Sequence, residues 1–143
     1  MKAILYARVS SKEQELEGYS IPAQVELLRE YARRHGLEVV HEYSEAQTAK
    51  KQGRTQFNHA VKALSAKTGP KVLLVEKTDR LYRNFKDYCT VEDLIADHGV
   101  EIHLVKEGEV LSRNSQSHAK FIHGIRALMA KNYIDNLSEE IKK

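Results

Sequence analysis

A chain of 143 residues, 41% hydrophobic and 30% charged, has the size and balance of one soluble globular domain that can bury a core without disulfides or metals. No apolar stretch approaches the roughly 20 residues of a membrane span, MKAILYARVS lacks the pattern of a signal peptide, and the single Cys89 excludes an internal disulfide, so a cytoplasmic protein is expected. The net charge of +3 conceals a division: residues 45–90 hold ten Lys and Arg against four Asp and Glu, while the remainder nets −3.

Residues 3–9 (AILYARV) form a nearly continuous apolar run, the pattern of a strand covered on both faces. A period of two puts Tyr6, Arg8 and Ser10 on one face, with Ser10 at the lip where the chain leaves the sheet. A hydroxyl beside a guanidinium is a reasonable nucleophile for an anionic electrophile, although a plain turn serine is the commoner case. Residues 21–35 repeat Ile21, Val25, Leu28 and Ala32 at helical intervals. Ser20 can cap that helix, Pro22 is tolerated in its first turn, and Gly36 stands where a C-terminal cap belongs.

A second strand is expected over residues 37–43 (LEVVHEY). The polar loop that follows supplies Lys50, Lys51 and Arg54, and a substrate-clamping loop and a solvated linker look alike here. Residues 55–67 form a second helix through Phe57, Val61 and Leu64, and residues 71–75 (KVLLV) a third, apolar strand. Next comes Glu76-Lys77-Thr78-Asp79-Arg80-Leu81-Tyr82-Arg83. A helix beginning near Asp79 would put Arg80 and Arg83 on one face at i, i+3, with Asp79 at the positive helix end. Two forked guanidiniums there would cradle a phosphate, and an exposed ion-pair cluster would carry the same residues. Leu81, Tyr82 and Phe85 are read as core rather than as base-stacking residues. Residues 84–98 form a third helix, closed by Gly99, and residues 100–105 (VEIHLV) a fourth strand. Residues 115–143 contain no proline and only Gly124, and their stripe from Phe121 to Ile141 predicts one long helix. That helix could meet a second subunit or fold back on its own sheet. LSEEIKK carries no capping signal, so the helix is expected to be truncated there.

The alternation β-α-β-α-β-α-β predicts an α/β domain with a mostly parallel central sheet and helices on both faces. Ligand sites in such sheets gather outside the C-terminal ends of the strands, here residues 8–14, 44–54 and 76–83. The positive segment 45–90 suits an anionic partner, although on charge alone a face of solvated lysines is the plainer reading. No carboxylate–histidine pattern has metal-ligand spacing, and neither a Walker loop nor GxGxxG is present, so no metal and no cofactor are expected.

Taken together, Tyr6-x-Arg8-Val9-Ser10-x-x-x-Gln14, Gly18-Tyr19-Ser20-Ile21-x-x-Gln24, Gly53-Arg54 and Lys77-x-Asp79-Arg80-Leu81-x-Arg83 resemble the serine site-specific recombinases, the resolvase/invertase family, in their N-terminal catalytic domain. The resemblance spans essentially the whole chain, about 1–112 as the α/β core and about 115–143 as the long helix. The longer stretch before Gln24 (EGYSIPAQ) looks more like the large recombinases of integrase and transposon type. TAKKQGRT before and around Arg54, and Ala130-Lys131-Asn132-Tyr133 in the long helix, depart from the small-resolvase pattern.

The resemblance implies Ser10 as the nucleophile. It implies Arg8, Arg54, Arg80 and Arg83 as phosphate-binding and transition-state-stabilising arginines, and Asp79 as the acidic residue that orients the site. Gln24 would be a polar active-site residue, with Tyr6, Gln14 and Lys77 in supporting positions. Lys50, Lys51 and Arg126 would contact DNA, Arg126 from a long helix that packs subunits and crosses the minor groove. The implied partner is double-stranded DNA, bound by a homodimer that becomes a tetramer at synapsis, with no membrane. The implied reaction is attack on a phosphodiester to give a 5′-phosphoserine, then strand exchange and religation without ATP or metal. The family's DNA-recognition modules lie C-terminal to this domain, and none is expected in this chain. Two other classes fit parts of the sequence: a non-catalytic phosphate- or nucleic-acid-binding module, and an interaction domain that oligomerises through the long helix. A receiver-type domain fits the topology but lacks the acidic cluster after the first strand.

Overall fold

The computed structural model describes residues 1–10, 20–47, 55–116, 118–120, 122 and 124. The elements run β1 (Lys2–Ser10), α1 (Ile21–Arg34), β2 (Glu38–Gln47), α2 (Thr55–Ser65), β3 (Val72–Val75), α3 (Thr78–Leu81), α4 (Phe85–His98), β4 (Glu101–Leu104) and β5 (Glu109–Leu111). One sheet holds all five strands in the order β2-β1-β3-β4-β5, parallel throughout except for β4–β5.

The apolar runs become strands buried on both faces because consecutive side chains serve different cores. Ile4 and Tyr6 of β1, Leu73 and Val75 of β3, and Ile102 and Leu104 of β4 pack with Phe57 and Leu64 of α2 and Val91 and Ile95 of α4. Ala3, Leu5, Val72 and Leu74 pack on the opposite face with Leu28 and Ala32 of α1. The expected three layers are therefore present, with one helix on one face and two on the other.

Local signals set the helix ends. Ser20 is extended and its hydroxyl accepts from the Ala23 N–H at 3.2 Å, while Asn84 accepts from the Asp87 N–H at 3.1 Å. After α1, Gly36 takes φ +65° and the Leu37 N–H reaches back to the Ala32 carbonyl at 2.8 Å, a Schellman closure that turns the chain into β2.

Three expectations need correction. The second strand does not stop at residue 43: it pairs with β1 through Gln47, because β1 offers it a partner up to Ser10. A fifth strand, β5, closes the sheet through a hairpin whose turn carries Gly108 at φ +66°. The helix expected near Asp79 is a single turn, and Tyr82 (φ −104°, ψ 131°) and Asn84 (φ −154°, ψ 177°) are extended. Arg83 consequently lies outside α3 and shares no helical face with Arg80. In the segment expected to form a long helix, Ser115 accepts from the His118 N–H at 2.9 Å, and the described residues among 116–124 are helical. Buried His118 places its Nε2 3.4 Å from Glu92 of α4. The other residues of that expected helix, Arg126 among them, lie outside the described residues.

Candidate active site

Chain order and strand order together locate the site. From β1 the chain moves to β2 on one side, then returns to β3 on the other, so the connections diverge between the C-terminal ends of β1 and β3. Open parallel sheets leave a crevice at that divergence. The β1–β3 ladder ends at Tyr6–Val75, and β1 runs on past it through Arg8 to Ser10.

Gln24 of α1 takes over where the ladder stops. Its Oε1 accepts from the Arg8 N–H at 3.1 Å and its Nε2 donates to the Arg8 carbonyl at 3.0 Å. A fully buried amide thus does for β1 what a neighbouring strand would have done. The Arg8 guanidinium crosses to α3, where Nε donates to the Arg80 carbonyl at 3.1 Å and Nη2 to the Asp79 carbonyl. Those carbonyls lie at the open C-terminal end of a one-turn helix, where a cation is favoured.

Tyr6 is fully buried with its ring edge-on to Phe57, centroids 5.7 Å apart. Its hydroxyl donates to Glu45 Oε2 on β2, and Glu45 Oε1 accepts from the Gln56 N–H at 2.8 Å. This nearly buried carboxylate therefore holds the first turn of α2, the helix that starts one residue after Arg54.

In the segment after β3, Arg80 is 2% exposed and its Nε lies 3.3 Å from Oε1 of Glu76, itself 3% exposed. The expected exposed cradle of two guanidiniums is therefore not what the fold builds: Arg80 is an interior cation with a buried counter-ion, to which Lys106 adds a contact at 3.6 Å. Breaking such a pair costs about 3–5 kcal/mol, because one charge is left uncompensated. Lys77 caps α3 through its carbonyl, which accepts from the Arg80 N–H at 3.0 Å, and the Asp79 side chain is exposed. Arg83 is half-buried, and its N–H donates to Asp87 Oδ2 at 2.7 Å.

Leu81 and Tyr82 are core residues, as expected, and Tyr82 stacks on Tyr88 at 3.9 Å between centroids. Burial raises the pKa of both phenols. The charges of Asp79 and Glu107 add to the rise at Tyr88, so these hydroxyls stay protonated and are poor bases.

The fold thus brings Arg8, Gln24, Asp79 and Arg80 into one connected network at the ends of β1 and β3, with Lys77 and Arg83 flanking it and Tyr6 held separately by Glu45. Ser10 ends β1 opposite Gln47. Its side chain, and Gln14, Lys50, Lys51 and Arg54, lie outside the described residues. Four carboxylates in and around the network were not singled out in the sequence: Glu76 and Glu107 on the Arg80 segment, Glu45 on Tyr6 and α2, and Asp87 on the Arg83 N–H. Asp87 was recoverable as the N3 partner of the Asn84 cap. Glu76 stands at i, i+4 from Arg80, an ion-pair spacing, whereas Glu45 and Glu107 act across elements and no local pattern marks them. Among the described residues no cluster of His, Cys, Asp and Glu could hold a metal ion, and no helix is long and apolar enough to cross a membrane.

A protein-family model described as "Resolvase, N terminal domain" matches residues 3–143. No curated protein matches the chain significantly. Among solved structures, the chain is similar to a resolvase family site-specific recombinase from Streptococcus pneumoniae, at 28% identity and a TM-score of 0.81, covering 99% of this chain and 97% of that one. The N-terminal catalytic domain of TP901-1 integrase shares the fold at 24% identity and a TM-score of 0.73, with both chains fully covered. So does the C-terminal catalytic domain of ISC1926 TnpA, an IS607-like serine recombinase, at 22% identity and a TM-score of 0.60, covering 96% of this chain and 86% of that one.

Proposed function

Since the chain belongs to the resolvase N-terminal-domain family of serine recombinases, and so is a catalytic domain of DNA recombination, we propose that Ser10 is its nucleophile and that cleavage proceeds through a 5′-phosphoserine. Ser10 Oγ attacks the phosphorus of a DNA phosphodiester. The P–Oγ bond forms, the P–O3′ bond breaks, and the serine proton is balanced by the proton that the departing 3′-oxygen gains as a hydroxyl. After strand exchange a 3′-hydroxyl attacks the phosphoserine and releases Ser10. The phosphoester is conserved, so no ATP is consumed.

Phosphoryl transfer depends on positioning and charge stabilisation more than on covalent machinery. Arg8, Arg54, Arg80 and Arg83 supply the positive field in this reading, and Asp79 orients the site. Gln24, Tyr6, Gln14 and Lys77 support the strand ends from which these groups project. Lys50, Lys51 and Arg126 contact the DNA. The protein acts as a homodimer on each site and as a tetramer at synapsis.

The observation that carries the reading is the Arg8 guanidinium on the carbonyls of Asp79 and Arg80. It draws the end of β1, which bears Ser10, against the segment bearing the acid and the buried arginine. The test is a covalent-adduct assay. The full chain, fused to an unrelated sequence-specific DNA-binding module, is given a substrate with two inverted binding sites around a nicked centre. The expected result is protein attached to a 5′ end on a denaturing gel, formed in EDTA and abolished by Ser10→Ala. A folded, DNA-bound protein without adduct would overturn the nucleophile and favour a binding module on the same scaffold.

A further inference from the structure

The hairpin turn between β4 and β5 reaches back over the candidate site. Glu107 Oε1 accepts from the Thr78 N–H at 2.5 Å and from Thr78 Oγ1 at 2.6 Å. A residue 29 positions along the chain therefore supplies the side-chain cap of α3, since Lys77 at the N-cap position makes none. At the other end of α3, Arg8 takes the carbonyls of Asp79 and Arg80. Four residues are far too few for a helix to hold itself in water, so its geometry must come from outside. A carboxylate at the N-terminus and a guanidinium at the C-terminus is the pairing that the helix dipole favours. The same turn touches the Arg80 counter-ion. The Lys106 N–H donates to the Glu76 carbonyl at 2.8 Å, and Lys106 Nζ lies 3.6 Å from Glu76 Oε2.

We propose that Glu107 is a positioning residue for strand cleavage: it sets the orientation of α3, and through it the placement of Asp79 and Arg80 against Arg8. It touches no substrate and acts only through α3. The inference rests on the recombinase reading above. Two consecutive turn residues thus bracket Arg80, Lys106 on its counter-ion and Glu107 on its helix.

The test uses the full-chain fusion and the nicked substrate at saturating protein. Glu107→Ala is expected to slow adduct formation by about tenfold or more, since small misplacements of catalytic groups have large effects on rate, while DNA affinity stays unchanged. Glu107→Gln, which can still accept both hydrogen bonds, recovers most of the rate. Glu109→Ala, which removes an exposed carboxylate two residues away, reacts like the parent. In an Arg80→Lys background, which keeps a cation beside Glu76, the further effect of Glu107→Ala shrinks to about twofold or less, because residues acting through one another are not additive. A Glu107→Ala protein as fast as the parent, or one that loses the same factor in both backgrounds, overturns the proposal.

Amide hydrogen exchange provides a readout that needs no activity. The Arg80 and Tyr82 N–H groups donate within α3, to Lys77 and Thr78. Glu107→Ala should deprotect both while leaving β1 and α4 protected, and unchanged protection overturns the proposal. If the parent protein forms no Ser10-dependent adduct, the recombinase reading fails and the catalytic part of this proposal with it, while exchange still decides whether Glu107 holds α3.

Discussion

Gln24 meets the backbone of Arg8 with both ends of its amide, one accepting and one donating, at a position with no exposure at all. Only a group with a donor and an acceptor side by side satisfies that site. Gln24→Glu preserves shape but turns the donor into an acceptor facing the Arg8 carbonyl, so at neutral pH it should destabilise the protein by about 2 kcal/mol. Protonating the new carboxyl restores a donor. Its pKa is therefore raised by the fold, and the stability it offers is present at low pH and lost as pH rises through that value. Urea unfolding at pH 5 and pH 7 checks this: the deficit relative to the parent should be smaller at pH 5. An equal deficit would show that the carbonyl of Arg8 does not need the donor.

Among elements, α1, α2, α4 and the first, third and fourth strands were legible from their apolar patterns, with a cap and a closing glycine added at α1 and α4. Ser20, Asn84, Gly36 and Gly99 announce boundaries that the fold uses. β5 was not legible, since three residues cannot display a period. Its trace was Gly108 in the turn between residues 100–105 and Val110-Leu111. The Arg80–Arg83 spacing misled for a related reason. Helical spacing says nothing about whether a helix continues, and Asn84 begins a new one three residues after Leu81. At the site, Tyr6, Arg8, Gln24 and Asp79-Arg80 stood out as a set; the i, i+4 spacing of Glu76 and Arg80 is local, but the burial of that pair is tertiary and the spacing does not announce it. The weight placed on Asn84 can be measured. Asn84→Ala removes the cap of α4 and should cost about 1 kcal/mol in thermal or denaturant unfolding, with Asn84→Ser recovering most of it. A neutral Asn84→Ala would mean that the Asp87 contact with the Arg83 N–H alone defines this boundary.

At the scale of the whole molecule, the sheet separates chemistry from ballast. The C-terminal strand ends carry the charged network, and the coverage of the two faces is unequal, with α1 alone on one and α2 and α4 on the other. On the α1 side, β4 places His103 half-buried beneath Tyr31, its Nδ1 2.7 Å from the Tyr31 hydroxyl and its ring edge-on to the phenol at 5.6 Å. Burial lowers the His103 pKa, nearby Glu101 opposes that shift, and His35 adds to it. A histidine held below its ordinary value is neutral in the fold while the unfolded chain takes up a proton, so the stability it contributes is present above about pH 6.5 and is lost as pH falls through the folded value. Glu92 works in the opposite sense. Burial raises its pKa against the pull of His118, so its contribution is complete below the ordinary carboxylate range and is lost as pH rises through the folded value. As pH falls, His103 therefore removes stability while Glu92 adds it. Between pH 7.5 and 5.5 the melting temperature should therefore fall with a component set by His103, and His103→Gln, which can keep the Tyr31 hydrogen bond but cannot titrate, should flatten that slope. Scanning calorimetry of both proteins across this range decides the matter: parallel slopes would assign the acid sensitivity to other groups, whereas a selective flattening would locate it on the single-helix face, away from the candidate active site.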